Sequence, residues 1–215
     1  MIHLFTYPLF LKYTQHDSLV VELGDQLINM TFDEGGPHVR KRSIDHFKDI
    51  APELNITSID NRQNADRALN LDLSKNIPNK SFPYFGKADV LTDFGTLEHV
   101  VDIDKKTKKK KYVSSLYYAL KNAFNFVKTG GVFIHSNPKE GNFPGHAAYH
   151  YFVEEFWIEY AKLAGLTVLE IGEHPAENNT TNGWEIFAVL EKDPEAKFPT
   201  RKDFDLLYKK YITKE

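Results

Sequence analysis

Four carboxylates and three histidines carry most of the chemistry that this sequence offers. Glu22, Asp60, Asp72 and Asp93 each close, or nearly close, a short apolar run; His99 follows the fourth run, and His135 and His146 follow the fifth. Acceptors gathered at one end of a sheet suit a ligand rich in hydroxyls, amines or positive charge. An unpaired carboxylate inside a run as apolar as the one holding Glu22 would otherwise be costly. Histidines beside such a site can take up or release a proton near neutral pH. The bland alternative is that strand-end acids cap the next turn or helix, an effect of about 1 kcal/mol each. That alternative fits Asp72 best, because Ser74 and Asn76 follow it in a loop, and Glu22 least. His146, His150 and Glu154 fall on one stripe of a helix, a spacing that suggests metal ligands. A zinc helix needs a further ligand from elsewhere and none is evident, so no metal site is expected.

The elements that must position these groups alternate. Strand patterns occupy residues 18–24, 55–60, 68–73, 88–94, 131–136, 166–171 and 184–190. Apolar spacings of three and four predict helices over 113–127 and 147–164, with a weaker one over 40–50 that Pro52 must end. Strand–helix alternation implies right-handed crossovers and a doubly wound α/β sheet. The connection 172–183 lacks an apolar helical face and is short for a parallel crossover, so the last two strands should run antiparallel to each other. The expectation is one domain over 1–215 with a mostly parallel seven-stranded sheet. An N-terminal arm (1–17) and a C-terminal helical tail (193–215) should pack outside the core (18–192).

Composition narrows the classes. The chain has 215 residues, 41% of them hydrophobic and 27% charged, an ordinary globular balance. A net charge of −3 excludes a globally basic nucleic-acid binder, and the absence of cysteine excludes disulfides, thiolate metal sites and cysteine nucleophiles. No apolar run approaches the ~20 residues of a membrane helix. Residues 1–11 are apolar but lack a basic lead and a small-residue cleavage site, so an intracellular, cytoplasmic protein is expected. The sequons starting at Asn29, Asn55, Asn79, Asn178 and Asn179 then carry no meaning.

Over roughly residues 18–192 the chain resembles the class I S-adenosylmethionine-dependent methyltransferases. Glu22-Leu23-Gly24 is similar to the opening of that family's first motif. The resemblance implies that Asp60 takes the ribose hydroxyls and that Asp72 with Leu73 lies at the adenine. It places Asp93, Phe94 and Gly95 near the methyl group, in the segment Asp93-Phe-Gly-Thr-Leu-Glu-His-Val100. Val127-Lys-Thr-Gly-Gly-Val-Phe-Ile134 resembles the family's turn into its fifth strand. The implied cofactor is S-adenosylmethionine. The implied activity is methyl transfer to an O or N nucleophile, with His99, His135 and His146 as candidate catalytic residues.

One departure stands out. The family's turn reads Gly-x-Gly, whereas Gly24 is followed here by Asp25 and Gln26. Either a differently shaped loop serves, with Gly35-Gly36 supplying the close approach, or the fold is a degenerate one kept as a scaffold. A dinucleotide would want Gly-x-Gly-x-x-Gly at its pyrophosphate, which is missing, so a nicotinamide oxidoreductase is the poorer reading. Residues 105–111 hold six lysines in seven positions. As a solvated, mobile loop they mean nothing; as a clamp they would favour a polyanion such as nucleic acid. Without aromatics interleaved, and with an acidic remainder, a small or carbohydrate-like acceptor is the favoured partner.

Overall fold

The computed structural model describes residues 2, 5–31, 38–61, 68–79, 82–140, 148–176 and 183–212. Its elements run α1 (Thr6–Tyr13), β1 (Leu19–Leu23), β2 (Leu27–Thr31), β3 (His38–Arg42), α2 (Ser43–Ile50), β4 (Asn55–Asp60), β5 (Ala68–Asn70) and β6 (Ala88–Phe94). They continue with α3 (Tyr112–Phe126), β7 (Val127–Pro138), α4 (Glu154–Ala164), β8 (Leu166–Pro175), β9 (Trp184–Lys192) and α5 (Arg201–Tyr211). Seven strands form one sheet in the order β5-β4-β1-β6-β7-β9-β8. Pairings are parallel from β5 to β7, and β9 runs antiparallel to both β7 and β8. The doubly wound sheet with its antiparallel C-terminal pair is therefore as the spacing predicted.

Register sets the site. Leu23 pairs with Ile59 on one side and Asp93 on the other, and Asp93 pairs with His135. The carboxyl ends of β1, β4 and β6 thus finish nearly level, β7 runs on to Pro138, and strand order reverses between β1 and β6. In open α/β sheets ligands bind at such a reversal.

Two apolar layers hold the sheet. On one face α3, α4 and α5 bury Leu120, Phe156, Trp157, Tyr160, Phe204 and Tyr208 against the strands. On the other, α1 and α2 bring Phe10 and Phe47 onto Val20, Ile56, Phe94 and Ile134. Both terminal elements, expected outside the core, contribute fully buried side chains to it: Phe10 from α1, Phe204 and Tyr208 from α5. The apolar stripe of α5 needed a partner, and α4 supplies it.

Three boundaries differ from the pattern-based expectation, each for a traceable reason. β2 and β3 pair antiparallel, with Leu27 opposite Arg42 and Thr31 opposite His38, where a loop and the start of a helix were expected. Strand β3 claims Arg40 to Arg42, so α2 begins only at Ser43. Helix α4 starts at Glu154 rather than 147, although the apolar spacing continues upstream. There the backbone is already committed: Tyr149 and His150 donate to Glu98 O, Phe152 donates to Pro138 O, and Glu140 donates to Phe152 O. Strand β7 begins at Val127, directly after α3, where the pattern started a strand only at 131. Its register with β6 shifts between Ala88 and Val90. Gly131 tucks in there so closely that a Cβ would meet Ala88 O at 2.8 Å. Among the described residues no helix is long and apolar enough to cross a membrane.

Candidate active site

A cleft of about 370 Å³ opens at the strand-order reversal, over the carboxyl ends of β1, β4 and β6. Gly24, Asp25, Gln26, Asp60, Asp72, Leu73, Gly95 and His99 all line it, as the sequence reading had them grouped. Thr96, Asn61, Ser74, Val100 and Val101 line it too and were not singled out. Glu22, Asp93, Phe94 and His135 do not reach it, and His146, like Gly35-Gly36, lies outside the described residues.

The turn after β1 explains how the chain manages without a second glycine. Gly24 has φ +77°, and a Cβ there would lie 2.5 Å from Thr96 Oγ1, so glycine is required for both conformation and space. Gln26 does not point outward. Its Nε2 donates to Leu23 O at 2.6 Å and to Thr96 Oγ1 at 3.2 Å, while Thr96 Oγ1 donates to Leu23 O at 2.7 Å. The side chains of Gln26 and Thr96 together lace β1 to the turn after β6. The backbone then leaves as the hairpin and returns. Ser43 N donates to Gln26 O at 3.1 Å, so α2 starts beside the turn as if the hairpin had been inserted between them. Arg42 fixes this return, donating to Asp25 O at 2.8 Å and lying 3.1 Å from Asp25 Oδ2. Neither Arg42 nor Thr96 has a signal that sequence spacing alone could reveal, because Arg42 reaches Asp25 through the β2–β3 pairing and Thr96 reaches Leu23 through the β1–β6 pairing.

The acids fall into two groups. Asp60 faces the cleft and accepts from Asp25 N at 3.2 Å, which ties the end of β4 to the glycine turn. Asp72 is 40% exposed; its Oδ1 takes the Ser74 amide and hydroxyl and its Oδ2 takes Lys75 at 2.9 Å. Burial opposes its ionisation, but those bonds outweigh burial and hold the carboxyl below its usual range.

Glu22 and Asp93, by contrast, are fully buried beneath the cleft floor. Glu22 Oε2 accepts from Ser43 Oγ at 2.7 Å and Ser58 Oγ at 2.8 Å, joining β1 to α2 and β4. Burial pushes its pKa up to about 7, the two hydroxyls offsetting only part of that. Asp93 takes four donors: Thr96 N and Leu97 N on Oδ1, His135 Nδ1 and Asn137 Nδ2 on Oδ2, all within 3.1 Å. A carboxylate so saturated has no acceptor site left for a ligand. The capping role weighed against a ligand role is what Asp93 performs.

The histidines separate likewise. His99 lies on the cleft wall with its side chain 45% exposed, next to Glu98. His135, expected on the same rim, is buried, stacked on Trp157 at 4.2 Å, and donates from Nδ1 to Asp93. Strand alternation put it on the α4 side, where an aromatic wall awaited it. Phe94, expected against the ligand, faces the α1–α2 layer instead. His150 precedes α4 and bridges Val100 O and Tyr208 OH, both at 3.0 Å, so it does not share a helical stripe with Glu154. Among the described residues no group of three His, Asp or Glu could hold a metal ion.

Comparison with family models and with curated proteins finds no match. Solved structures do match, and they show the fold to be that of the class I S-adenosylmethionine-dependent methyltransferases. One is 1,6-didemethyltoxoflavin-N1-methyltransferase of Burkholderia thailandensis with S-adenosylhomocysteine, at 13% identity and TM-score 0.54, covering 82% of this chain and 71% of that one. Another is the N-methyltransferase NodS of Bradyrhizobium japonicum with S-adenosylhomocysteine, at 14% identity and TM-score 0.54, covering 90% and 89%. A third is the [4+2]-cyclase SpnF, at 11% identity and TM-score 0.54, covering 87% and 80%. The likeness is one of fold, and the fold hosts more than one reaction.

Proposed function

We propose that the cleft binds S-adenosylmethionine and that the protein is a methyltransferase acting on an O or N nucleophile of a small or carbohydrate-like acceptor. The observation that carries this reading is the turn at Gly24. A residue that tolerates no Cβ sits at the strand-order reversal, flanked by Asp60 at the end of β4 and Asp72 beyond β5. Two matched structures contain the demethylated cofactor, which adds support for the ligand. The residues fit it: carboxylates for the ribose hydroxyls at Asp60, an apolar wall at Ile59, Leu71 and Leu73, and a backbone cradle at Gly24 and Gly95. The cofactor, when bound, supplies an electrophilic methyl group on a sulfonium.

This chain's own residues then have three tasks. Asp60 and the Asp72 loop hold the nucleoside portion, and the Gly24–Gln26 turn, stiffened by Thr96 and Arg42, keeps the floor rigid. His99, the histidine that lines the cleft, takes the proton released as the acceptor's oxygen or nitrogen becomes methylated. Glu98 is buried beside it, its Oε1 3.7 Å from Nε2 of His99.

Calorimetric titration with S-adenosylmethionine and S-adenosylhomocysteine tests the reading. Binding of both, weakened about tenfold or more in Asp60→Ala, is the expected result. No heat from either at millimolar ligand would favour the scaffold reading.

A further inference from the structure

The lysine-rich segment beside the site is a hydrogen-bonded hairpin. Ile103 and Lys110 form an antiparallel bridge, Asp104 N donates to Lys109 O at 2.9 Å, and Lys111 N donates to Asp102 O at 2.8 Å. Asp104 Oδ1 turns inward onto the amides of Lys106 and Thr107 at 3.0 and 2.8 Å. Asp102 is taken by Lys111 and Lys75. Every lysine from 105 to 111 is exposed. Among the described residues Lys105, Lys106, Lys108 and Lys109 have no carboxylate partner, whereas Lys12, Lys41, Lys75, Lys128 and Lys139 each lie against one. Lys108 also adopts φ +58°, a conformation that glycine or asparagine takes with less strain. An ordered turn that concentrates like charges, and places one at a strained position, is arranged for the charges rather than for stability.

Its position says what the charges face. The hairpin grows directly out of Val100 and Val101, which line the cleft, one residue beyond His99. Lys110 lies over the ring of Tyr149 at 4.5 Å, and Tyr149 N is bonded to Glu98 O. A row of cations therefore starts at the wall carrying His99 and runs outward to the hairpin tip. The tyrosine face that could have stacked a base is covered by Lys110, so the surface reads charge rather than base identity.

We propose that this hairpin docks the acceptor through a tail bearing more than one phosphoryl group, with the nucleophile left at His99. A single phosphate would engage only part of the row. The acidic remainder of the chain confines the contact to this patch, which favours a compact polyphosphorylated molecule over an extended phosphodiester chain. The proposal rests on the methyl-transfer reading for the role of acceptor, while the anion binding stands apart from it.

The test uses the full chain and the variant K105Q/K106Q/K108N/K109Q, whose thermal midpoint is first matched to the parent. Sodium tripolyphosphate, S-adenosylhomocysteine and a single-stranded oligonucleotide of about 20 residues are titrated separately at low and physiological salt. Tripolyphosphate should bind the parent and lose about tenfold or more in the variant, with S-adenosylhomocysteine affinity unchanged. Equal tripolyphosphate binding by parent and variant, or none by the parent, would overturn the proposal. An oligonucleotide that binds while tripolyphosphate does not, with a log–log salt slope of about −3, would replace the small anion by a nucleic-acid backbone. Failure of S-adenosylhomocysteine alone would refute the methyl-transfer reading and leave the anion site standing.

Discussion

The two sides of the strand-order reversal treat the same residue type in opposite ways. On the β1–β4–β5 side, Asp60 and Asp72 face a cleft and sit in turns that a ligand can reach. On the β6–β7 side, Asp93 is sealed under the floor with four donors, and His135, Asn137 and Glu98 are packed around it, Asn137 Nδ2 reaching both Asp93 and Glu98. One side presents polar groups; the other commits them to each other. Strand-end position therefore does not make an acid a ligand. What decides is how many donors the surrounding backbone and side chains have already aimed at it.

That contrast can be broken at its strongest point first. Asp93→Ala leaves His135, Asn137 and two turn amides without their acceptor in a closed interior, and should cost about 3–5 kcal/mol of stability by chemical denaturation. Asp72→Ala, on the open side, should cost less than about 1 kcal/mol. Equal losses would mean that the two sides are not distinct.

Glu22 sharpens the same point through pH. Its carboxyl titrates near 7 in the folded chain and near 4.5 when unfolded, so its contribution is fully present below pH 4.5 and is lost as pH rises through 7. The loss amounts to about 3 kcal/mol. Denaturation curves at pH 5 and pH 8 should show Glu22→Gln relieved of that decline relative to the parent. Parallel pH profiles for the two proteins would argue against a neutral Glu22.

Gly24→Ala puts a methyl group on Thr96 Oγ1 and forces alanine to φ +77°. It should lower stability by about 1–2 kcal/mol and weaken S-adenosylhomocysteine binding by more than tenfold in calorimetry. Thr96→Ser keeps the hydroxyl and should leave both nearly unchanged. His99→Ala should also have little effect on binding. It should lower turnover on a methyl acceptor by about a hundredfold while S-adenosylhomocysteine affinity stays within about twofold, because the imidazole serves the acceptor.

The sheet was legible because parallel strands advertise themselves as short apolar runs, and the 172–183 connection was too polar for a crossover helix. The cleft residues were legible because strand ends were. The sealed side was not: nothing local distinguishes Asp93 from Asp60. Only the β6–β7 register reveals that His135 and Asn137 point at Asp93. The start of α4 was misread for the same reason, since the hydrogen bonds from Tyr149 and His150 to Glu98 O come from fifty residues away in sequence. The β2–β3 hairpin was hidden because its strands lie beside a helix pattern that extends back to Arg40, and tertiary pairing overrode that weak propensity.

The measurement that bears most directly on the account is amide hydrogen exchange with and without saturating S-adenosylhomocysteine. The account predicts new protection at Gly24–Gln26, at 60–61, at 71–74 and at 95–101, with the amides of His135, Ser136 and Asn137 unchanged because they are already locked in β7 between β6 and β9. Protection confined to 135–140 and 148–152, with the Gly24 turn unaffected, would place the ligand on the wrong side of the reversal and contradict the division drawn here.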